Sequence, residues 1–557
     1  MASALPKKKI IPGSRACLPC RDKHLKCDGH MPVCGRCTST QTACAYVKSR
    51  RGRRGAPAAV TTSGPMTNTD TAADAAWPPP SLLSNPLGLD GQHEPPTASS
   101  LQLHNASTER SQDTTSVPHV DTGTPDDDHL INLYYCCVHP AHPFLLPQKL
   151  YQHNRGLFPA HLKRAMCFIA SHYSRTAHLE QHRNASNTVF ESSVINDAFK
   201  VQSLIIITIA SYALFERDRG NRALNAAIDI AYQIGLNSDT FGQDHEPLFR
   251  ESWRRTWWEL YTISGLISLF GSTNVRLPQP MYVALPCDCE AYNACEAPRT
   301  ANAAGMRERF RAETSTTWSS FAYKVEAMRI LSMVLDIAQE SPSPRSRAAE
   351  AAISSWLLSL LDEKREGLRD DGEVDEVMSC ALMTIHLAGI CLHLPQSPLA
   401  HVGDFRTVCG NNLGGAASET PKTHQAAALR SAKALARLLS SHSTLNTLSP
   451  CFSCAIAFSA VVLLSEYLLL SERSTQVLAR PEDLREILQL ELSALQSLGQ
   501  TWPIARALRT QIAGFARDVI GKSSSGTQAE ALLDLGLSSS DDLWLQDLIE
   551  ENATPPE

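Results

Sequence analysis

The stretch from Cys17 to Cys44 reads CLPCRDKHLKCDGHMPVCGRCTSTQTAC and holds six of the 17 cysteines of a 557-residue chain. Its spacing is C-x2-C-x6-C-x6-C-x2-C-x6-C, so the first three cysteines repeat 17 positions later. Three thiolates cannot complete a tetrahedral zinc shell. If one cysteine of each half bridges, six thiolates give two zincs four sulfurs each. The spacing therefore favours a binuclear zinc cluster, with ligands Cys17, Cys20, Cys27, Cys34, Cys37 and Cys44.

Charge is distributed unevenly along the chain. Residues 1–55 hold 13 Lys and Arg against two acids, whereas the rest holds 38 against 55, which gives the net charge of −6. A basic head on an acidic body indicates a polyanionic partner. The N-terminus has no apolar stretch of signal-peptide length, so we expect a reducing compartment. There, a dense cysteine cluster indicates a metal site rather than disulfides.

The residues from Cys17 to Gly29, with Pro32 and the later cysteines, resemble the binuclear zinc cluster (Zn2Cys6) domain of fungal transcription factors. The resemblance implies two Zn²⁺ ions bridged by Cys17 and Cys34. It implies that Cys20 and Cys27 complete one shell, and Cys37 and Cys44 the other. It also implies a short helix that enters the major groove of double-stranded DNA and reads a CGG triplet.

Charge predicts which half-cluster meets DNA. Four basic side chains and one acid lie between Cys20 and Cys27, whereas the segment between Cys37 and Cys44 has no charge. Phosphate contacts need cations, so the first half should face the duplex. A basic arm after the cluster could follow the phosphates or act as a nuclear import signal, and we expect a nuclear protein. The predicted DNA contacts are Arg21, Lys23, His24, Lys26, Lys48, Arg50, Arg51, Arg53 and Arg54.

The fold class predicted is a small zinc-stapled Zn2Cys6 domain, a disordered linker and an all-α helical regulatory domain. The DNA-binding head spans residues 10–55, the linker 56–128, the helical region 129–521 and an acidic-hydrophobic tail 522–557. The linker is rich in Ala, Pro, Ser, Thr and Gly, which disfavours a packed core. It has no heptad pattern, so monomeric binding and a homodimer formed through the helical body both remain open.

Helical periodicity dominates the body. Residues 221–236 place apolar side chains on one face and end near Gly235, and residues 429–439, 455–470, 482–498 and 502–519 also favour helices. Residues 201–215 are apolar nearly all round, which suits a buried helix, although the Ile run also suits a strand. No apolar run reaches the roughly 18–20 residues of a membrane helix, so we expect no membrane partner.

A second resemblance covers roughly residues 130–290. The octapeptide RRTWWELY at Arg254–Tyr261 is similar to the signature of the fungal-specific transcription factor domain. Taken alone, its tryptophan pair favours a core position. His139 and His142 have no obvious further ligand for a metal site, and the cysteines at 287, 289, 295, 451 and 454 are expected to be buried or idle thiols rather than metal ligands or oxidation sensors. The chain has no phosphate loop, nucleophile elbow or His-Glu-x-x-His helix, so an enzyme is not expected.

The tail after Lys522 has acids and large apolar residues but no Lys or Arg. Such a segment can fold as an amphipathic helix into a coactivator groove, or dock on the chain's own body. The predicted activation residues are Leu543, Trp544, Leu545, Leu548 and Ile549.

We therefore expect a sequence-specific, zinc-dependent activator of RNA polymerase II transcription. A repressor and a small-molecule-sensing regulator are the alternatives, and an enzyme with a zinc-cluster appendage has no motif in its support. The sequence around CLPCR and SRRGRR resembles regulators of fungal biosynthetic gene clusters, which suggests secondary metabolism as the pathway.

Overall fold

The computed structural model of the chain describes parts of the head and most of the helical body. In the head these are Cys20, Lys23 and residues 25–27 and 34–40. In the body they are residues 125–270, 277, 283–296, 305–306, 318–337, 344–369, 371–402, 420–472 and 481–524. The predicted linker up to residue 124 and the predicted activation residues lie outside these ranges.

Within the described residues the chain is helical, which confirms the predicted fold class. The only β-type pairing there is a single bridge between Leu368 and Val374. The first nine helices are α1 (Gly35–Ser39), α2 (Pro125–Leu133), α3 (Gln148–His153), α4 (Ala160–Ser171), α5 (Leu179–Ser186), α6 (Ala198–Ala213), α7 (Arg217–Gln233), α8 (Pro247–Phe270) and α9 (Cys289–Asn293). The next eight are α10 (Ser320–Ile337), α11 (Pro344–Leu358), α12 (Asp362–Arg365), α13 (Glu376–His393), α14 (Pro421–Ser440), α15 (Ser453–Glu472), α16 (Pro481–Gly499) and α17 (Pro503–Ser524).

The chain divides into two compact units, Met1–Gln112 and Asp113–Glu557. In the second unit, α10 packs along α13 and α13 along α14, while α15, α16 and α17 pack against one another. Burial of their apolar faces forms one continuous core that includes Trp257, Trp356 and Trp502. The body begins with α2 and a π-helical turn, Tyr134–Val138, a few residues before the boundary predicted at 129.

Local signals explain two of the predicted helices. The Asp197 side chain accepts a hydrogen bond from the Lys200 N–H (2.8 Å), and this N-cap starts α6 as a helix rather than a strand. Gly235 has φ +75° after the end of α7. The Leu236 N–H bonds to the Ala231 carbonyl (2.9 Å) and the Gly235 N–H to Tyr232 (3.1 Å), which together form a Schellman cap that ends the helix.

The expectation about membrane-length helices was wrong. Two helical stretches, Glu376–Gln396 and Pro450–Leu470, are long and apolar enough to cross a membrane. The error arose because a helix of this length tolerates isolated polar residues such as Ser459 and Ser465. Within the body, 94% of an apolar 18-residue window in the first stretch and 83% of such a window in the second are buried, so packing against neighbouring helices accounts for their composition.

Candidate metal centre and nucleic-acid interface

A cysteine core occupies the described part of the head. Cys20, Cys34 and Cys37 are buried to 2%, 0% and 3% exposure, and Cys27 packs against them half-buried. The short helix α1 starts directly after Cys34 and carries Cys37 on its buried side. The Cys34 sulfur accepts a hydrogen bond from the Cys37 N–H (3.4 Å), which favours the thiolate at this helix N-terminus.

The sulfur geometry suits zinc. The Sγ atoms of Cys20, Cys27 and Cys34 all lie within 4.8 Å of one another, and those of Cys20 and Cys34 are 3.8 Å apart. Zinc–thiolate bonds of about 2.3 Å in a tetrahedron place two sulfurs roughly 3.8 Å apart. These three residues therefore fit a zinc ion. Bound zinc would cross-link them and stabilise a domain whose apolar core is very small.

Of the three remaining predicted ligands, the structure describes Cys37 alone. The Cys37 sulfur is not part of the group within 4.8 Å. The Cys37 backbone N–H nevertheless donates a hydrogen bond to the Cys34 sulfur. Cys17 and Cys44 lie outside the described residues.

Two exposed lysines lie between Cys20 and Cys27 of this core. Lys23 and Lys26 are exposed, and the segment between them is held by a hydrogen bond from the Leu25 N–H to the Cys20 carbonyl (2.7 Å). Arg36, on α1, is also exposed, and the charge comparison between half-clusters missed it because it lies between Cys34 and Cys37. The other predicted DNA contacts lie outside the described residues: Arg21, His24, Lys48, Arg50, Arg51, Arg53 and Arg54.

Comparison with known families matches both parts of the chain. Residues 15–54 match the fungal Zn(2)-Cys(6) binuclear cluster domain, and residues 131–358 match the fungal specific transcription factor domain. The chain carries the paired domains of the fungal Zn2Cys6 transcription factors. The Zn2Cys6 domain supplies DNA binding in that family, and the two matched domains are those of a regulator rather than an enzyme.

The C6 finger domain transcription factor iacK of Pestalotiopsis fici is similar to this chain over almost the whole length of the chain. The two are 27% identical over 583 aligned positions, which cover 96% of this chain and 85% of the relative. No solved structure matches the chain.

In the helical domain the RRTWWELY motif is structural. The fully buried Arg255 guanidinium donates to the Glu251 carboxylate (2.9 Å) and to the carbonyls of Pro143 (3.0 Å) and Cys287 (2.8 Å). It also lies 4.1 Å from the centre of the Tyr292 ring, an attractive cation–π geometry. Arg255 therefore fastens the segment around α9 to α8.

A second buried charge junction uses Glu259 of the same motif. Its carboxylate accepts bonds from the Lys324 ammonium (2.9 and 3.0 Å) and from His142 Nδ1 (2.6 Å), while His142 Nε2 accepts from the Ser449 hydroxyl (2.7 Å). Burial raises the pKa of Glu259, but Lys324 and His142 outweigh it, so its pKa lies below the usual value. Burial lowers the pKa of His142 despite Glu259. The junction is a carboxylate–ammonium pair joined by a neutral imidazole.

The other histidine and the cysteine pairs that the sequence offered are also part of the packing. His139 Nε2 hydrogen-bonds to the Asn293 side chain (3.2 Å). Burial raises the pKa of Cys451 to about 11 and that of Cys454 to about 12, which keeps both thiols protonated. These groups hold the helices together and offer no reactive thiolate.

Proposed function

We propose that this protein is a zinc-dependent, sequence-specific activator of RNA polymerase II transcription that reads CGG-containing promoter sites in the nucleus. The observation that carries the proposal is the group of three sulfurs, of Cys20, Cys27 and Cys34, with zinc-like spacing beside the exposed Lys23 and Lys26. The matched Zn2Cys6 domain at residues 15–54 supports it.

The proposed cluster holds two zinc ions. Cys17 and Cys34 bridge them, Cys20 and Cys27 complete the first shell, and Cys37 and Cys44 complete the second. The grouping of the Cys20, Cys27 and Cys34 sulfurs within 4.8 Å of one another supports the first of these shells. Bound zinc would fix the fold of the head and offset part of the charge of its thiolates.

DNA recognition is assigned to the first half-cluster. In the sequence, Arg21, Lys23, His24 and Lys26 lie between Cys20 and Cys27, two ligands of the same proposed shell, so metal binding would hold their backbone rigid. The arm at residues 48–54 adds five cations, which would follow the phosphate backbone or serve nuclear import.

The composition of the tail and the sequence of the head favour an activating role and a pathway. The acidic-hydrophobic tail would recruit coactivators, and the resemblance of the head to regulators of biosynthetic gene clusters favours secondary metabolism. A repressor with the same DNA-binding head is the alternative, and the tail is the feature that favours an activator.

The DNA-binding proposal is tested by titrating the full-length protein against CGG and scrambled duplexes at several salt concentrations. Lys26→Ala should weaken binding to both duplexes and lower the salt slope by about one, because a phosphate contact is lost. Arg36→Ala is the matched control, since it removes one exposed charge from the other half-cluster and should change affinity less. Equal affinity for CGG and scrambled duplexes would refute sequence-specific reading.

A further inference from the structure

A cavity of about 580 Å³ lies in the helical body, within the usual range of roughly 300–1,000 Å³ for small-molecule sites. Its walls come from the π-helical turn and the loop after it, from α3, α9 and α12, and from the first residues of α10 and α13. Apolar lining is supplied by Tyr135, Pro140, Pro143, Leu368 and Val377. The cavity joins segments that are far apart in sequence. Its volume and its mixed apolar and polar lining make it a candidate ligand site.

Some of its eight charged lining residues already have partners inside the protein. The Lys364 ammonium donates to the Ser320 hydroxyl (2.7 Å) and to Asp375 (3.3 Å). Glu376 pairs with His442 (3.3 Å). The Asp288 carboxylate accepts the N–H of Glu290 (2.8 Å) and caps α9. These groups are committed to the fold.

The four other charges are two cations and two carboxylates. Among the described residues, Lys149, Glu290 and Glu363 have no ion-pair partner, and the Arg369 guanidinium donates only to the Val374 carbonyl (3.0 and 3.2 Å). The charges of these four residues sum to zero, although the whole lining holds three cations and five carboxylates. A polyanion would meet Glu290 and Glu363, and a polycation would meet Lys149 and Arg369, so a ligand that carries both signs suits the set best.

The inner wall of the cavity is held in place before any ligand binds. Arg255 fastens the backbone before α9, and the His139–Asn293 hydrogen bond joins α9 to the loop after the π-helical turn. Burial lowers the pKa of His139 to about 4, so the imidazole is neutral at physiological pH and leaves the charge pattern unchanged. A preformed wall of this kind reduces the entropy cost of binding.

We propose that this cavity binds a zwitterion of amino-acid to short-peptide size. Its ammonium pairs with Glu290 and Glu363, its carboxylate pairs with Lys149 and Arg369, and its apolar part lies on Tyr135 and the two prolines. The ligand joins α9 to the starts of α10 and α13. That this ligand regulates transcription rests on the proposed function; that it binds does not.

Binding is tested on the full-length protein with the twenty standard L-amino acids and a panel of their dipeptides. At least one compound should raise the Tm in a concentration-dependent way, because a ligand that binds only the folded state stabilises it. The N-acetyl and C-terminal amide forms of that compound each lack one charge and should bind at least ten-fold more weakly by calorimetry. No Tm shift with any compound, or equal binding of the blocked forms, would overturn the proposal.

Substitutions locate the site. Glu363→Gln and Arg369→Gln should each raise the Kd about ten-fold, the effect of losing one charge-assisted contact. Asp362→Asn is the matched control, since this exposed neighbour of Glu363 lies outside the cavity lining and should leave the Kd unchanged. Unchanged Kd values for both cavity variants would place the ligand elsewhere. Zwitterion binding without preference for CGG would refute the proposed function and leave this site standing.

Discussion

Cys34 contacts both halves of the cysteine repeat. Its sulfur lies 3.8 Å from that of Cys20 and accepts the N–H of Cys37, so it is placed to serve two metals. Cys34→Ser should therefore lose both zincs, whereas Cys37→Ser should lose one. Native mass spectrometry of the full-length chain measures the count, which should be two in the unmodified protein. A Cys34→Ser variant that keeps two zincs would contradict the bridging role.

Glu491 is the least satisfied charged residue among those described. Its side chain is fully buried on α16, and neither carboxyl oxygen has a hydrogen-bond partner in the described part of the chain. Burial raises its pKa well above the usual value. Ser459 lies close enough to lower it in part, but its hydroxyl donates to the Ala432 carbonyl (3.1 Å) rather than to the carboxyl, so the effect of burial dominates. The folded state therefore holds a proton that the unfolded state releases.

Because unfolding releases this proton, the stability due to Glu491 falls as the pH rises above the carboxyl's ordinary pKa. The slope is about 1.4 kcal/mol per pH unit, up to the raised pKa. Glu491→Gln should remove this slope and be more stable than wild type at pH 8, with the difference shrinking toward pH 5. Urea unfolding at several pH values measures it.

The control for this prediction is Glu486→Gln, an exposed carboxyl on the same helix. It should leave the pH dependence of unfolding unchanged. If Glu491→Gln and wild type showed parallel pH profiles, Glu491 would have to be ionised or solvated in the folded state.

Single residues differ in how far the sequence predicts their roles. The cysteine repeat is visible because metal geometry demands a fixed spacing, and the capping role of Gly235 follows from its place after an amphipathic stretch. The partners of Arg255 and Glu259 could not be predicted, because Cys287 and Lys324 are distant in sequence and meet them only through helix packing. The cavity is hidden for the same reason.

At the scale of elements, amphipathic helices were predictable and fully buried helices less so. Residues 221–236 show a clear apolar face, and the observed helix Arg217–Gln233 differs from the prediction by only a few residues at each end. In contrast, α13 is buried on nearly all sides, so its sequence has no periodic contrast to detect. The sequence also does not show that α13 packs against α10 and α14, because this contact arises only in the folded chain.

The close approach of α13 to α14 depends on Gly389. A Cβ atom there would lie 2.4 Å from the Ser431 hydroxyl and 3.2 Å from its Cβ, and a serine side chain has little room to move away. Gly389→Ala should therefore push the two helices apart and cost about 1–3 kcal/mol of unfolding free energy. Thermal and urea denaturation measure the loss.

Gly514 provides the matched control on α17. A Cβ atom at this position meets nothing within 4 Å, so Gly514→Ala should gain up to about 1 kcal/mol from helix propensity. If the two variants had equal stability, α13 and α14 would not be in the tight contact described.

At the scale of the whole molecule, the two parts of the chain differ in charge and composition. The basic residues 1–55 include the Zn2Cys6 domain matched at residues 15–54, and the acidic remainder includes the helical domain matched at residues 131–358. Domain order and class were predictable because motif spacing and composition are local properties of the chain. The segments outside the described residues, including the tail, keep their predictions from composition alone.

The acidic-hydrophobic tail is the segment expected to activate transcription. Residues 523–557 hold eight acids and no Lys or Arg, and Leu545, Leu548 and Ile549 have the i, i+3, i+4 spacing of a helix that binds a groove. Repulsion among the acids should resist collapse and keep these side chains and Trp544 available. Fused to a foreign DNA-binding domain, the segment should stimulate a reporter gene.

The double substitution Trp544→Ala with Leu548→Ala should abolish that stimulation, because coactivator grooves bind the apolar face. Replacing Asn552 with Ala in the same fusion is the control, since it changes neither the acids nor the apolar residues. If the tail instead docks on the body, the fusion will be inert, and the double substitution will lower the Tm of the full-length protein. An inert fusion would remove the main support for activation and favour the repressor alternative. A fusion whose stimulation depends on Trp544 and Leu548 would establish the tail as the activating segment.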